Sequence, residues 1–197
     1  MRDNGPVTQR EYPLSPGTTL VSTTDLQSHI TYCNPAFVEV SGFTRDELIG
    51  QPHNQVRHPD MPAEAYRDMW ATLKAGLPWT ALVKNRRKNG DYYWVRANVT
   101  PVLEGGRVSG YMSVRTAPGT GEVAAAEALY AHMRQEAASG RLVHTLVQGD
   151  VQVAGPAAWL ARLTKPSISV RLSATAMVGT LATGLLVQGL APSGTAW

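Results

Sequence analysis

Runs of alternating apolar and polar residues predict five short β-strands in the first part of this chain. Each run is rich in β-branched or aromatic residues and ends near Gly, Pro, Asn or Asp. The predicted strands cover residues 18–23, 29–32, 79–87, 92–103 and 107–115. Asn89-Gly90, between the third and fourth strands, is a strong signal for a two-residue hairpin turn. Two strands, a helical stretch and a three-strand meander predict an α+β fold with a five-stranded antiparallel sheet.

Short helices are predicted between the second and third strands. Asn34 stands where an N-cap would, with Pro35 at the first helical position. Thr44 and Glu47 have the spacing of a capping box, which predicts a second short helix. A longer helix is predicted over residues 63–75, because apolar residues recur there at helical spacing while charged residues take the other face. We expect these helices to flank the sheet.

A linker helix is predicted after the sheet. Its apolar stripe steps by three and four residues and consists of Val123, Ala126, Tyr130, Met133 and Ala137. The stripe is too short and too rich in Ala for a coiled coil, so we expect the helix to dock on a surface. The expected surface is the outer face of the sheet, with Leu82, Tyr92, Trp94 and Tyr111. Residues 141–165 lack a regular pattern and are expected to be irregular.

One apolar span, residues 172–191, has the length and the lack of charge that a helix needs to cross a bilayer. Arg162, Lys165 and Arg171 precede it, and by the positive-inside rule they would keep the preceding residues in the cytoplasm. A buried core helix is the alternative, because the span is only weakly hydrophobic. The predicted parts of the chain are a flexible N-terminal arm (1–17), a folded domain (18–117), a linker and juxtamembrane segment (118–171) and a transmembrane helix (172–191).

Composition narrows the classes of function. A net charge of +3 without a basic stripe makes nucleic acid an unexpected partner. The single cysteine, Cys33, excludes an intrachain disulfide framework and fits a reducing compartment. The sequence has no nucleophile elbow, phosphate-binding loop, kinase motif or dinucleotide-binding glycine pattern, so an enzyme is not expected.

The densest cluster of candidate binding residues lies in the segment 51–62. This segment contains three prolines, which predict a shaped loop with at most short helical turns. The members of the cluster are His53, Arg57, His58 and Asp60. Such a loop can bind a polar or anionic ligand, since Arg57 supplies a fixed cation. A metal site is one alternative, because the histidines and the aspartate are possible metal ligands. Haem is another alternative, with His58 or His29 as its ligand.

Asn85 is a further candidate. In the strand 79–87 it shares a face with Trp79, Ala81 and Val83, so an amide is buried if that face points into the domain. A buried amide without partners costs about 1–3 kcal/mol, and a ligand that offers donors and acceptors would relieve that cost. A backbone-bonded or solvent-facing Asn is the plainer alternative.

Over residues 7–116, the loop, the hairpin and the order of elements closely resemble the FAD-binding PAS sensor domain of bacterial aerotaxis receptors. The resemblance implies a PAS fold and FAD as cofactor. The residues that match the family's flavin-binding positions are Asn34, Arg57, His58, Asp60 and Trp79. The position of Asn85 is also Asn in flavin-binding light sensors of the same fold. Those light sensors form an adduct with a loop cysteine, and the loop 51–62 has none.

The resemblance implies a membrane-anchored redox or oxygen sensor for aerotaxis, in the inner membrane with its PAS domain in the cytoplasm. We expect a homodimer that acts on a signalling partner or on the chemotaxis receptor–kinase complex. A PAS interaction module with haem or without cofactor is the alternative within the fold, and a flavin-dependent enzyme is the alternative of another class. Aerotaxis receptors continue past the membrane into a HAMP linker and a methyl-accepting hairpin. The present sequence therefore fits a fragment, a truncated paralogue or a sensor that signals through another chain.

Overall fold

The computed structural model describes residues 4–153 of the 197-residue chain. A five-stranded antiparallel sheet forms the centre of this part, in the order β2-β1-β5-β4-β3. Its strands are β1 (Thr19–Thr24), β2 (Ile30–Cys33), β3 (Trp79–Arg86), β4 (Tyr92–Glu104) and β5 (Arg107–Thr116). The predicted α+β fold and the predicted five-stranded sheet are confirmed, with strand bounds that differ by at most one residue.

Three helices and a single 3₁₀ turn lie between β2 and β3. They are α1 (Pro35–Ser41), α2 (Arg45–Leu48), the 3₁₀ turn His53–Val56 and α3 (Ala63–Lys74). Asn34 caps α1, because its side-chain oxygen accepts a hydrogen bond from the amide of Phe37 at 3.0 Å. Thr44 and Glu47 form the predicted capping box of α2. Local sequence signals therefore determine where these short helices begin.

The predicted linker helix is α4 (Thr120–Ala138), and it docks on the outer face of the sheet. Tyr130 is buried there, stacked on Trp94 with ring centroids 6.3 Å apart. Its hydroxyl donates a 2.7 Å hydrogen bond to the carbonyl of Leu82. Met133 is also buried. The apolar stripe of α4 therefore docks on the sheet, as predicted, rather than forming a free coiled coil.

A second, two-stranded sheet follows α4 and was not predicted. It consists of β6 (His144–Val147) and β7 (Asp150–Val153), so the expectation of irregular structure is wrong for this stretch. Gln148 and Gly149 link the strands with φ angles of 55° and 87°, the positive values that a type I′ turn needs. We refer to β6, the turn and β7 as the C-terminal hairpin.

Residues 4–16 of the predicted flexible arm pack against the sheet through backbone hydrogen bonds. The amide of Thr8 donates to the carbonyl of Gly90 at 2.8 Å, and that of Tyr12 donates to Tyr92 at 2.7 Å. Asn4 then reaches the loop 51–62, where its side-chain amide donates to the carbonyl of Arg57 at 2.9 Å. The polar composition of the arm does not reveal this, because its bonds to Gly90 and Tyr92 use backbone groups.

Within residues 4–153, no helix is both long enough and apolar enough to span a bilayer. The predicted transmembrane helix 172–191 lies outside the residues that the structure describes.

Candidate functional site

A cavity of about 500 Å³ lies between the inner face of the sheet, helix α3 and the loop 51–62. This volume is within the usual range for small-molecule and cofactor sites. The inner face of β3 contributes Trp79, Val83 and Asn85, and the inner face of β5 contributes Ser113 and Arg115. Strands, helix and loop thus surround one space that is large enough for a ligand.

Three of the six predicted site residues line this cavity: Arg57, Trp79 and Asn85. Arg57 and Asn85 face each other across an antiparallel β-bridge that connects the loop with β3. The Arg57 guanidinium lies 3.6 Å above the centre of the Tyr66 ring. Burial lowers the pKa of Arg57, an effect that the partial negative charge of the Tyr66 hydroxyl opposes in part.

Several buried polar atoms of the cavity wall have no hydrogen-bond partner within the described chain. They are Arg57 Nε, Asn85 Nδ2 and Ser113 Oγ. Buried donors of folded proteins are almost always paired, and an unpaired one costs about 1–3 kcal/mol. These three atoms therefore indicate a wall that is arranged for a polar ligand.

Arg115 is a cavity residue that no motif in the sequence singles out. It is only 4% exposed, and no carboxylate of residues 4–153 pairs with it. Its guanidinium donates to Ser22 Oγ at 3.1 Å and to His53 Nε2 at 2.6 Å, and burial lowers its pKa to about 10. Since Lys74 and Arg57 also line the cavity and none of its lining residues is acidic, the site favours an anion.

His53 is the neutral partner of this buried cation. Because a guanidinium only donates, Nε2 of His53 must accept, and the ring proton is then on Nδ1. Burial and the neighbouring Arg115 both hold the pKa of His53 well below its usual value. The ring also stacks on Phe37, with centroids 5.8 Å apart. His53 and Phe37 thus support the position of Arg115 in the cavity wall.

Asn34 does not reach the cavity, because its side chain is committed to backbone groups. Its oxygen accepts from the amides of Phe37 and Val21, both at 3.0 Å, and its nitrogen donates to the carbonyl of Thr19 at 2.9 Å. The side chain therefore joins β1 to the start of α1. In this structure Asn34 shapes the fold near the site without contacting its interior.

His58 and Asp60 also lie outside the cavity lining, on the side of the loop that faces α4. Asp60 accepts a 2.8 Å hydrogen bond from the ammonium of Lys84, which also donates to Glu127 of α4 at 3.0 Å. Lys84 is 3% exposed, and Arg134 of α4 bonds to the backbone carbonyl of Asp60. We call Asp60, Lys84, Glu127 and Arg134 the loop–helix cluster. It joins the loop that carries Arg57 to the docked helix.

His53 and His58 consequently face different surroundings, and they do not form a joint metal site. His58 is 1% exposed, and its Nδ1 accepts from the amide of Asp60 at 3.1 Å. Across residues 4–153, no group of three His, Cys, Asp or Glu side chains is arranged to hold a metal ion.

The lowered pKa values of His53 and His58 predict that the free energy of unfolding depends on pH. Burial, only partly opposed by Asp60, lowers the pKa of His58 from 6.5 to about 4. Below pH 6.5 the unfolded chain binds a proton that the folded chain does not, so stability falls as the pH decreases. For His58 the loss is about 3 kcal/mol when pH 4 is reached, and His53 changes stability in the same direction.

Urea unfolding between pH 7 and pH 5 measures this effect. The interval lies above 4.5, the ordinary pKa of a glutamic acid, so carboxylates such as Glu136 contribute little within it. Replacing His58 with Asn should flatten the dependence, while the wild-type unfolding midpoint should decrease steadily as the pH falls. A wild-type midpoint that stays constant across this interval contradicts neutral burial of both rings.

The fold and the sequence are similar to those of known proteins. A family model described as the PAS fold matches residues 30–115. This chain carries a PAS domain. A solved structure, the dark structure of the blue-light photoreceptor Aureochrome1 LOV, has the same fold with a TM-score of 0.50 and 17% identity. The alignment covers 59% of this chain and 84% of that one.

Curated relatives of this PAS protein include the aerotaxis receptor of Escherichia coli, which is 54% identical over 165 residues. The alignment covers 84% of this chain and 31% of the receptor, so the chain spans about a third of that relative. A nitrogen fixation regulatory protein of Klebsiella pneumoniae is 36% identical over 83 residues, which are 42% of this chain and 17% of that protein. The predicted resemblance to aerotaxis receptors is confirmed. These relatives are a receptor and a regulator, in agreement with the prediction that the chain is not an enzyme.

Proposed function

We propose that this PAS domain is a flavin-binding redox sensor, with FAD as the cofactor, that acts in signal transduction of the aerotaxis type. The observation that carries the proposal is the cavity, with its unpaired polar atoms, the buried guanidinium of Arg115 and the half-buried guanidinium of Arg57. The high identity to the E. coli aerotaxis receptor supports the same assignment.

The chemistry of the cavity wall fits a flavin nucleotide. The carbonyl and nitrogen edge of an isoalloxazine ring offers acceptors to unpaired donors such as Asn85 Nδ2 and Arg57 Nε. The phosphate groups of a flavin nucleotide are anions, which suits a wall with Arg57, Arg115 and Lys74 and no acidic residue. Trp79 adds an apolar aromatic surface. A bound flavin would supply reversible electron transfer, which the side chains of this chain do not provide.

Within this proposal the six predicted site residues have two kinds of role. Arg57, Trp79 and Asn85 line the cavity and would hold the flavin there, together with Ser113 and Arg115. His58 and Asp60 hold the loop in place through Lys84, and Asn34 holds the first helix.

The same arrangement supplies a route for the signal. Arg57 in the cavity wall is three residues from Asp60, which the loop–helix cluster ties to α4. A change in the charge of a bound ligand would alter the forces on Arg57, and the short loop between Arg57 and Asp60 would pass that change on to Asp60. We propose α4 and the sheet surface beneath it as the output region, with another signalling protein as its target.

Replacing Asn85 with Ala tests the cofactor. Loss of one buried hydrogen bond costs about 1–3 kcal/mol, so the affinity for FAD should fall about five- to 150-fold. Wild-type protein should show flavin absorption bands after purification or after addition of FAD, and titration of cofactor-free protein measures the affinity of each variant.

Asn98→Ala is the matched control. Asn98 lies on β4 outside the cavity, and its oxygen accepts from the hydroxyl of Thr80 at 2.9 Å, so this variant should bind FAD as the wild type does. A folded wild-type protein that takes up no FAD contradicts the proposal. A Soret band instead of flavin bands would favour haem, although His58 does not line the cavity and His29 pairs with Asp25.

The membrane part of the proposal concerns residues outside the described structure. We propose that residues 172–191 anchor the protein in the inner membrane as a dimer, with the PAS domain in the cytoplasm. Fractionation of cells that express the chain with and without residues 154–197 tests this anchor. A full-length chain that stays in the cytosolic fraction contradicts it.

A further inference from the structure

A buried carboxylate, Asp68, joins the wall of the cavity to the turn of the C-terminal hairpin. It lies on α3, is 3% exposed and accepts three hydrogen bonds. The indole nitrogen of Trp79 donates to Oδ2 at 2.8 Å. The amide of Gln148 donates to Oδ1 at 2.9 Å, and the amide of Gly149 donates to Oδ2 at 2.7 Å. One side chain therefore holds a cavity residue and a turn outside the cavity.

The Trp79 side of this link is fixed in orientation. Its ring lines the cavity and is 1% exposed, while its single polar atom points away from the cavity toward Asp68. Hydrogen bonds to a carboxylate are about twice as strong as those between neutral groups. The carboxylate thus determines how the indole ring faces the cavity.

The hairpin side is fixed by close contact as well as by hydrogen bonds. A Cβ atom added at Gly149 would lie 1.8 Å from the carbonyl oxygen of Thr80, the residue that follows Trp79. On the same helix, Glu64 accepts from the amide of Leu146 at 2.9 Å, and Arg67 donates to the carbonyl of Leu146 at 2.8 Å. The hairpin therefore sits on α3 and against β3 at a defined position.

We propose that Asp68 is a positioning residue that couples the cavity wall at Trp79 to docking of the C-terminal hairpin. The ligand side of this coupling rests on the proposed function, in which the cavity binds a flavin. The Trp79 indole and the amides of Gln148 and Gly149 all donate to Asp68. A ligand that displaces Trp79 would therefore change the hydrogen bonds of the two turn amides. Coupling between sites is reciprocal, so a docked hairpin changes the affinity of the cavity by the same factor. The hairpin immediately precedes residues 154–197 and would carry the ligand state toward them.

Two variants test the link in ligand-free protein. Trp79→Phe keeps an aromatic ring but removes the indole donor, and it should speed hydrogen exchange at the amides of Gln148 and Gly149 at least fivefold. Gly149→Ala displaces the turn from Thr80 and leaves the Trp79 side chain intact, and it should shift the NMR signal of the Trp79 indole proton. Gly106→Ala is the control, since Gly106 also lies in a hairpin turn with a positive φ of 78° but has no atom near an added Cβ.

The ligand arm uses FAD as the probe. Gly149→Ala should weaken FAD binding at least fivefold relative to Gly106→Ala, the lower end of typical coupling between sites. Unchanged exchange at the turn in Trp79→Phe, with an unshifted indole signal in Gly149→Ala, overturns the coupling whether or not FAD binds. Failure of the wild type to bind FAD would instead overturn the proposed function, and the ligand-free arm would still decide the link through Asp68.

Discussion

Replacing Arg115 with Met is expected to weaken FAD binding about 10- to 150-fold and, at the same time, to stabilise the ligand-free protein. The affinity falls because hydrogen bonds to charged groups contribute about 1.5–3 kcal/mol each. The stability rises because Arg115 is buried without a carboxylate partner, a cost that shows in its lowered pKa. Apolar residues of similar volume that replace a buried ion pair are often neutral or add about 1–4 kcal/mol, and Arg115 lacks even the carboxylate whose attraction offsets the desolvation cost in such pairs. Titration with FAD and urea unfolding of the cofactor-free protein measure the two effects.

Arg96→Met is the matched control. Arg96 lies outside the cavity on β4, where it pairs with Glu122, and its side chain is 38% exposed. The FAD affinity and the free energy of unfolding should both change little, because exposed ion pairs contribute little to stability. If Arg115→Met lowers stability and leaves the FAD affinity intact, the guanidinium has a structural role and the proposed anion site is wrong.

Replacing Tyr130 with Ala is expected to lower the free energy of unfolding by about 3–5 kcal/mol, the usual cost of truncating a buried aromatic residue. Tyr130 is 4% exposed, stacks on Trp94 and donates its hydroxyl to Leu82. The loss should appear in urea unfolding, and hydrogen exchange should show that α4 loses protection before the sheet does.

Two further variants separate the parts of this effect. Tyr130→Phe keeps the stacked ring and should cost about 1 kcal/mol, the share of one hydrogen bond. Tyr32→Ala removes a ring that is 44% exposed on β2 and should change stability by less than about 0.5 kcal/mol. Full protection of α4 in Tyr130→Ala would mean that the loop–helix cluster alone holds the helix.

The sheet and the short helices were predictable because their signals are local. The Asn34 cap, the capping box of Thr44 and the turn at Asn89-Gly90 each specify a boundary without reference to the rest of the fold. The C-terminal hairpin also has a local signal in the sequence. Two short runs rich in β-branched residues flank Gln148-Gly149, and glycine suits the positive φ of a hairpin turn.

The face assignment of β5 is where prediction from apolar residues failed. Tyr111 was expected on the outer face, but it lines the cavity together with Ser113 and Arg115. Met112 points the other way and is 39% exposed. A strand that lines a polar cavity buries polar residues, so the usual apolar-inward pattern is reversed. Reading that reversal correctly would have identified Arg115 from the sequence.

The orientation of the loop 51–62 could not be predicted for a different reason. Four polar residues lie close together there, and the sequence does not tell which of them face the cavity. The choice depends on Lys84, which comes from a strand more than twenty positions away and draws Asp60 toward α4. Long-range pairing of this kind is invisible to a local pattern.

The position of β1 has a practical consequence for domain boundaries. This strand lies between β2 and β5, yet the match to the PAS family model begins only at Ile30, where β2 starts. A chain trimmed to residues 30–115 would lose an interior strand with its buried Leu20, and β2 would have no neighbour in the sheet. The smallest autonomous unit therefore starts upstream of β1, and fragments cut at the family limits are expected to aggregate rather than fold.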